Sequence, residues 1–264
     1  MRDPDKIWEI PLWEVNHSRD KLINEEAIDF TAYKLGYEMR EEVDDPSRKA
    51  YKDFSTEMYP NGNVSAVHDY KTDLPVWLCA DFNRSPMAWA LLQVDRDAEG
   101  NHVYVVFDQI FTRDALTSEQ AVIAVEKLKY WGINSVFLGG DNTSNQRSGN
   151  YGRTGKNDWD YVREVLDYAD IRHKSRMGIQ NPKRKVRVDK VNSVIFNRTT
   201  LNRRLIINER CEDVIKDYMY SIVGSHGVKI DSGIRGHMSD AVDYVVFYNE
   251  RGSSSPMYAL RNNL

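Results

Sequence analysis

The stretch VWLCAD, residues 76–81, is an apolar segment that ends in an aspartate. A turn signal, NRSP at residues 83–86, follows almost directly. A short apolar segment bounded by turn residues is typical of a strand that is buried on both faces. The segment SVFLGG, residues 135–140, has the same character and leads into Asp141. We therefore predict two buried strands whose ends carry Asp81 and Asp141.

The segments around these two strands predict a mixed α/β fold. Further strands are expected at residues 87–94 and 103–111, and helices at residues 117–131 and 158–168. Beyond them, the pattern predicts a short strand near residue 171, helices at 188–197, 211–222 and 238–249, and extended segments at 204–207 and 228–231. Three meandering strands followed by alternating helices and strands describe a mixed sheet with helices on both faces.

Three regions are expected along the chain. Residues 1–70 carry aromatic and acidic residues in a helical rhythm and show no clear strand pattern, which predicts a mostly helical lead-in. Residues 71–250 are predicted to form the α/β domain. Residues 251–264 contain the run RGSSSP and are predicted to form a flexible tail.

Composition places the chain among ordinary globular proteins. Of its 264 residues, 41% are hydrophobic and 29% are charged. No apolar run approaches the roughly 18 residues of a membrane span, and the first residues lack the apolar core of a signal peptide. Cys79 and Cys211 both lie among apolar neighbours, which favours buried thiols over a disulfide or a zinc site. We expect an intracellular protein with no membrane partner.

Basic residues concentrate in one segment of an otherwise acidic chain. The net charge is −4, which does not by itself indicate a nucleic-acid-binding protein. Between residues 172 and 190, however, the chain has a single acid, Asp189. The same segment has eight basic residues: Arg172, Lys174, Arg176, Lys183, Arg184, Lys185, Arg187 and Lys190. Such a run is either a solvated surface or a track that contacts phosphates.

A third aspartate, Asp240, opens the apolar helix predicted near the C-terminus. Each aspartate alone has an ordinary explanation, because acids bond turn amides and favour the start of a helix. If Asp81, Asp141 and Asp240 converge at one edge of the sheet, their shared charge calls for divalent cations, which take oxygen ligands. The three aspartates are therefore candidate metal ligands and catalytic residues.

The same helix carries a histidine on the face of Asp240. His237, Asp240 and Tyr244 share one side of a helix by their spacing. An imidazole and a carboxylate in an apolar helix are costly to bury without a partner, and a metal ion would be such a partner. His237 is a candidate to position water, to shuttle protons or to act as an outer ligand. Asp243 either shares the site or faces solvent.

These residues resemble a known family. The order of a strand with Asp-Phe-Asn, a strand with Gly-Asp, and a helix with His-x-x-Asp-Ala is similar to the nuclease domain of the large terminase subunit of tailed bacteriophages. The resemblance spans residues 70–250 and is most specific in GHMSDAVDYVVF, residues 236–247. It implies an RNase H-like fold, with Asp81, Asp141 and Asp240 as metal-binding acids and His237 beside the last of them.

The resemblance also implies an activity and partners. The family cuts double-stranded concatemeric DNA during genome packaging, in the cytoplasm of the infected bacterium. It works with an ATPase domain, a small terminase subunit and a portal. This chain has no Walker A sequence, because its nearest match, GRTGKN at residues 152–157, lacks the first glycine and has Asn157 in place of Ser or Thr. We expect either an excised nuclease domain or a chain encoded apart from its motor. Asp243 departs from the small residue common in the family, so its role as a further ligand stays open.

The expected chemistry is hydrolysis of a phosphodiester with two divalent cations, Mg²⁺ or Mn²⁺. Asp81 would bridge both ions, Asp141 would complete one position and Asp240 the other. Contacts with DNA phosphates, which carry no sequence information, are predicted for eight basic residues: Arg147, Arg153, Lys183, Arg184, Lys185, Arg187, Lys229 and Arg235. Two alternatives stay open: a junction resolvase or hybrid nuclease of the same fold, and a non-catalytic DNA-binding or assembly module.

Overall fold

The computed structural model describes residues 48–83, 85–142, 156–178, 180–224, 228–230 and 235–252. Two of the predicted DNA contacts, Arg147 and Arg153, lie outside the described residues, as do residues 1–47 of the predicted lead-in and residues 253–264 of the predicted tail. Among the described residues, no helix combines the length and apolar character that crossing a bilayer requires.

In the described part of the chain, seven strands form one mixed sheet in the order β1-β7-β4-β3-β2-β5-β6. The strands are β1 (Val64–Ser65), β2 (Val76–Asp81), β3 (Met87–Arg96), β4 (His102–Thr112), β5 (Ser135–Gly140), β6 (Arg172–Ser175) and β7 (Leu205–Asn208). Strand β3 runs antiparallel to both of its neighbours, and the other adjacent pairs are parallel. A separate antiparallel pair joins β8 (Ile222–Val223) and β9 (Lys229–Ile230).

Helices cover both faces of the large sheet. They are α1 (Thr117–Tyr130), α2 (Asp158–Tyr168), α3 (Arg184–Ile195), α4 (Glu212–Tyr220) and α5 (His237–Gly252). Helices α1 and α2 pack with one face, and α3, α4 and α5 pack with the other. The mixed sheet with helices on both faces is therefore confirmed.

The alternation of side chains along β2 decides where Asp81 points. Trp77 and Cys79 pack with the core on the α5 face, whereas Leu78 and Ala80 pack on the α1 face. Successive side chains of a strand point to opposite faces, so Asp81 belongs to the α5 face. All residues of β2 are buried, which confirms the predicted strand.

Helix α5 lies directly against the central strands. Met238, Ala241, Val242, Val245 and Val246 are buried in the core on that face. At Gly139 in β5, an added Cβ would lie 2.5 Å from Cγ2 of Val245. At Gly140, an added Cβ would meet the carbonyl of Ala80 on the neighbouring strand β2, so helix α5 and strand β2 both approach this glycine pair closely.

The predicted boundary between residues 70 and 71 does not coincide with a break between compact units. The chain from Lys49 onward forms one compact unit, so this boundary falls inside it. Strand β1 pairs with β7 through backbone bonds, and Tyr51 and Asn63 are buried. No α-helix occurs between residues 48 and 70, where the lead-in was predicted to be mostly helical. The two-residue strand β1 is too short to show an apolar alternation, which is why the pattern missed it.

The largest differences from the predicted helix boundaries lie at the start of α3 and at the end of α5. Helix α3 begins at Arg184, four residues before the expected position. The apolar pattern missed its first turn because Val186 is exposed and Arg187 is buried there. Helix α5 continues through Arg251 and Gly252, which were assigned to the tail.

Candidate active site

Asp81 and Asp141 lie next to each other at the ends of two adjacent strands. Strands β2 and β5 are parallel and adjacent, and their register pairs Ala80 with Gly140. The backbone N–H of Asp141 donates to the carbonyl of Ala80 at 3.2 Å. Because neighbouring strands lie about 4.8 Å apart, the two aspartates that follow this pair are placed at one edge of the sheet.

Asp81 is held in a buried polar cluster with His237. Its carboxylate oxygen Oδ2 accepts a hydrogen bond from Nδ2 of Asn83 at 2.7 Å and lies 3.0 Å from Nδ1 of His237. Nδ1 of His237 also lies 2.9 Å from Nδ2 of Asn83, and a single ring nitrogen cannot donate and accept at once. With the proton on Nδ1, His237 donates to Asp81 and keeps Nε2 as its accepting nitrogen.

The surroundings of Asp81 raise its pKa. Burial is the largest cause, and the bond from His237 opposes it. The charges of Asp240 and of Asp141 each raise the pKa of Asp81 further. Asp141 and Asp240 are thus near enough to Asp81 for their charges to act on it.

Asp141 is oriented by the segment that precedes α3. Nδ2 of Asn181 donates to Oδ1 of Asp141, and Oδ1 of Asn181 accepts from the backbone N–H of Asn142 at 2.9 Å. Nε1 of Trp159 in α2 donates to the carbonyl of Asp141 at 2.9 Å. Asn181 thus links the residues after β5 to the start of α3.

Asp240 meets a different environment, dominated by cations of the chain itself. Its Oδ1 accepts from a terminal nitrogen of Arg187 at 2.5 Å and from Nζ of Lys229 at 2.6 Å. Arg184 lies 3.5 Å from Oδ2. Burial alone would raise the pKa of Asp240, but Lys229 and Arg187 outweigh it and lower the pKa to about 2.

The predicted DNA contacts of Arg187 and Lys229 need correction. Their side chains are 2% and 0% exposed, so neither lies at the surface where a DNA phosphate could reach it. Lys183, Arg184 and Lys185, at the start of α3, are exposed or half-buried, and Arg235 is half-buried between Asp213 and Asp217. The basic run therefore divides into buried partners of Asp240 and an outward-facing group.

Asp243 lies on the buried side of α5. Its two oxygens accept hydrogen bonds from the hydroxyls of Tyr51 at 2.6 Å and Tyr218 at 2.8 Å. Burial raises the pKa of Asp243 to about 6, against the opposing charges of Lys229 and Arg187. The structure therefore places Asp243 in the core and not facing solvent, with both oxygens engaged by tyrosines.

Asp217 in α4, which the sequence reading did not select, fixes the start of α5. Its Oδ2 accepts the backbone N–H groups of Gly236 at 2.9 Å, Met238 at 2.8 Å and Ser239 at 3.2 Å. The first N–H groups of a helix have no partner within the helix, so this carboxylate satisfies them. Because His237 and Asp240 lie in this first turn, Asp217 also fixes their position. A lone acid within a short helix carries no sequence signal for such a role.

The donor set suits a hard divalent cation. Within the described residues, no three His, Cys, Asp or Glu side chains are grouped so that they could hold a metal ion as they stand. Carboxylate oxygens are nevertheless the ligands that Mg²⁺ and Mn²⁺ prefer. In the same part of the chain, both hydrogen bonds to the Asp81 carboxylate reach Oδ2, which leaves Oδ1 to a ligand. The charges of Asp141 and Asp240 act on Asp81, and a cation beside Asp81 would offset them.

Comparison by sequence finds no relative: no protein-family model matches the chain, and no curated protein matches it. Comparison by structure, in contrast, finds similar proteins. The nuclease domain of the phage P22 large terminase is 12% identical with a TM-score of 0.53, over 77% of this chain and 92% of that domain.

Two further structures are more distant. The large terminase nuclease of thermophilic phage G20c, with bound magnesium, is 13% identical with a TM-score of 0.44, over 77% of this chain and 97% of that one. RuvC of Thermus thermophilus, in complex with a Holliday junction substrate, is 11% identical with a TM-score of 0.38, over 67% and 95%. The chain has the RNase H-like fold, and its structure is similar to that of the P22 large terminase nuclease domain.

Proposed function

We propose that this chain is a divalent-metal-dependent endonuclease that hydrolyses phosphodiester bonds in double-stranded DNA. The observation that carries the proposal is that Asp81 and Asp141 lie side by side at one edge of the sheet, with His237 of α5 in contact with Asp81. Asp81 is buried and feels two further negative charges, which is costly unless a cation offsets them. The likeness in fold to the P22 terminase nuclease domain supports the same reading.

Asp81, Asp141 and Asp240 would hold two ions, Mg²⁺ or Mn²⁺, with Asp81 shared between them. When bound, such ions activate water and stabilise the charge that develops on the phosphate. Asp81 offers Oδ1 for this purpose, because its Oδ2 is engaged by Asn83 and His237. Asn181 holds the Asp141 carboxylate in place.

His237 would handle a proton beside the carboxylates. Its Nδ1–H donates to Oδ2 of Asp81, which fixes the orientation of the ring. An imidazole at this position can accept a proton from a water molecule or return one to the leaving oxygen.

The outward-facing basic residues would bind the DNA backbone. Lys183, Arg184 and Lys185 stand at the N-terminal end of α3, whose first turn holds no acidic residue. Positive charges at the positive end of a helix dipole are unfavourable without an anion. Arg184 lies 3.5 Å from Asp240, so this basic end adjoins the carboxylates. A DNA phosphate would neutralise it. Arg235 is a further candidate, and so are Arg147 and Arg153.

The finer biological role follows the terminase likeness. We propose that the substrate is concatemeric viral DNA, cut during packaging in the host cytoplasm. A terminase ATPase domain, a small terminase subunit and a portal would be its partners. Phosphate contacts read no sequence, so cleavage by the chain alone should show weak sequence preference.

The decisive experiment is plasmid cleavage by the purified chain with Mn²⁺, Mg²⁺ or EDTA. Asp81→Asn should abolish cleavage while DNA binding, measured by fluorescence anisotropy, stays within about twofold. Asp73→Asn, an exposed acid before β2, is the matched control and should cut like the wild type. Cleavage that persists in EDTA would contradict the metal mechanism.

The same assay separates the alternatives by substrate. A four-way junction or an RNA–DNA hybrid cut in preference to linear duplex would identify a resolvase or hybrid nuclease. Binding to DNA without cleavage of any substrate, under every metal condition and in both variants, would replace the nuclease with an assembly module.

A further inference from the structure

Lys229 occupies a position that has the oxygen surroundings of a cation site. Its Nζ lies 2.6 Å from the carbonyl of Gly236, 2.8 Å from Oγ of Ser239 and 2.6 Å from Oδ1 of Asp240. The hydroxyl of Tyr51 lies 3.3 Å away. An ammonium group has three N–H donors and no acceptor, so these oxygens satisfy it fully.

Arg187 adds a second buried charge at the same carboxylate. A terminal nitrogen of its guanidinium contacts Oδ1 of Asp240, the oxygen that Lys229 also contacts. The guanidinium stacks on the ring of Tyr244, with 3.9 Å from Cζ to the ring centroid, and its Nε lies 4.0 Å from Asp243. Both cations are inaccessible to solvent, so water screens them little.

Asp81 differs from Asp240 in the charge of its partners. Its hydrogen-bonding partners are the neutral amide of Asn83 and the imidazole of His237. The nearby charges that act on Asp81 include two further carboxylates, those of Asp240 and Asp141. A divalent cation therefore meets negative charge at Asp81 but meets two positive charges behind Asp240.

We infer that Lys229 and Arg187 neutralise Asp240 from within the fold, so that divalent cations bind in two unequal steps, the tighter at Asp81 and the weaker at Asp240. The inference rests on the proposed metal-dependent function and deepens it by ranking the two positions. Each buried charge repels a divalent ion at Asp240 over a few ångströms in a medium of low effective dielectric. The built-in cations keep α5 folded without metal and, as a consequence, weaken the second metal position.

The test is Mn²⁺ binding, followed by the electron paramagnetic resonance signal of free Mn²⁺ and by isothermal titration calorimetry. The wild-type chain should bind one ion at least tenfold more tightly than the second. Lys229→Met should tighten the weaker step at least tenfold and leave the tighter step unchanged. Lys71→Met, at a lysine that pairs with Asp95 and whose side chain is 53% exposed, is the matched control and should match the wild type.

A second variant keeps the test decisive if Lys229→Met does not fold. Arg184 lies 3.5 Å from Oδ2 of Asp240 and is half-exposed, so Arg184→Met removes a nearby cation with less risk to the core. It should tighten the weaker step by at least threefold. Equal affinities in the wild type, or an unchanged weaker step in a folded Lys229→Met or Arg184→Met variant, would overturn the inference while leaving the nuclease proposal standing.

Failure of the underlying function gives a different result. Asp81→Asn should remove the tighter step, because that step depends on this carboxylate. If the wild type binds no Mn²⁺, or if Asp81→Asn leaves both steps unchanged, the metal-dependent function and the ranking of its positions both fall.

Discussion

Asp81 and Asp240 lie at the same end of the sheet, but their surroundings shift their pKa values in opposite directions. Burial and two neighbouring carboxylates raise the pKa of Asp81, whereas Lys229 and Arg187 lower the pKa of Asp240 to about 2. Asp240 therefore stays ionised at any ordinary pH. Asp81 is the carboxylate of this pair whose ionised form is costly in the fold.

The first residue-scale prediction concerns Asn181, which holds the Asp141 carboxylate. Removing a partner that orients a ligand typically costs 10–100-fold in metal affinity or activity. Asn181→Ala should therefore lower Mn²⁺ affinity and cleavage rate about 10–100-fold, since Asp141 loses its amide donor. Calorimetry and initial cleavage rates would measure this.

The control for that prediction is Asn134→Ala, an exposed amide beside β5. It removes the same side-chain atoms without touching an acid and should leave both quantities unchanged. An Asn181→Ala variant with wild-type affinity and rate would show that Asp141 needs no such support.

At this scale, the sequence singled out Asp81, Asp141 and Asp240 but not the buried cations that pair with Asp240. Asp81, Asp141 and Asp240 each stand at the end of a strongly patterned element, which is why the sequence singled them out. Lys229 and Arg187 come from segments with no apolar pattern, and a basic residue in a basic run looks like a surface residue. Their burial depends on tertiary packing against α5, which no local pattern encodes.

At the scale of elements, the first turn of α5 depends on a carboxylate from α4. Asp217 accepts three backbone N–H groups there, and its Oδ1 is buried without a hydrogen bond in the described residues. Burial raises the pKa of Asp217 from 3.8 to about 6, although Lys229 and Arg235 act in the opposite direction. Ionised Asp217 thus aligns the helix that carries His237 and Asp240 at some cost in stability.

The second prediction is the pH dependence of that cost. The folded chain holds the proton of Asp217 more firmly than the unfolded chain does, so the free energy of unfolding falls as pH rises from about 4 to about 6. The raised pKa corresponds to roughly 3 kcal/mol. Asp217→Asn should remove this slope. Relative to the wild type, the variant should gain roughly 3 kcal/mol between pH 4 and pH 7 in urea unfolding.

Glu212→Gln in the same helix, where the side chain is 70% exposed, controls for the loss of one carboxylate. A difference between Asp217→Asn and wild type that stays constant from pH 4 to pH 7 would refute the prediction. In that case, the acid at position 217 would titrate alike in the folded and unfolded chains.

Elements whose composition and flanking turns agree were predictable, and two short segments were not. Helix α2 and strands β2 and β5 were predicted with the bounds observed, because their composition and flanking turns agree. Strand β1 and the first turn of α3 were missed, since two residues show no alternation and since Arg187 is buried where an apolar residue is usual.

At the scale of the whole molecule, residues 49–70 are part of the folded unit. Asn63 is the clearest case, because its buried amide bonds two distant carbonyls, those of Ile195 and Leu205. Its Oδ1 accepts from the backbone N–H of Ser55 and from Arg203. These bonds tie the segment before β1 to α3 and β7.

The third prediction follows from these bonds. Asn63→Ala leaves several buried polar groups without a partner, at about 1–3 kcal/mol for each group left unsatisfied. We expect a loss of about 3 kcal/mol or more in the free energy of unfolding, in one cooperative transition that includes the sheet. Val67→Ala, at an exposed position of the same segment, should change stability by less than about 0.5 kcal/mol. A separate unfolding transition of this segment, before that of the sheet, would contradict the prediction and support a domain boundary between residues 70 and 71.

The order of the elements along the chain sets the order in which the acids of the candidate site are synthesised. Strands β2, β3 and β4 form a local meander, whereas β5 joins β2 only through a parallel pairing that encloses helix α1. Helix α5, with His237 and Asp240, follows every strand of the sheet in chain order. A chain still emerging from the ribosome therefore carries Asp81 long before it can carry the complete cluster. If the proposed nuclease function holds, a partial chain that ends before α5 lacks His237 and Asp240 and should leave DNA uncut.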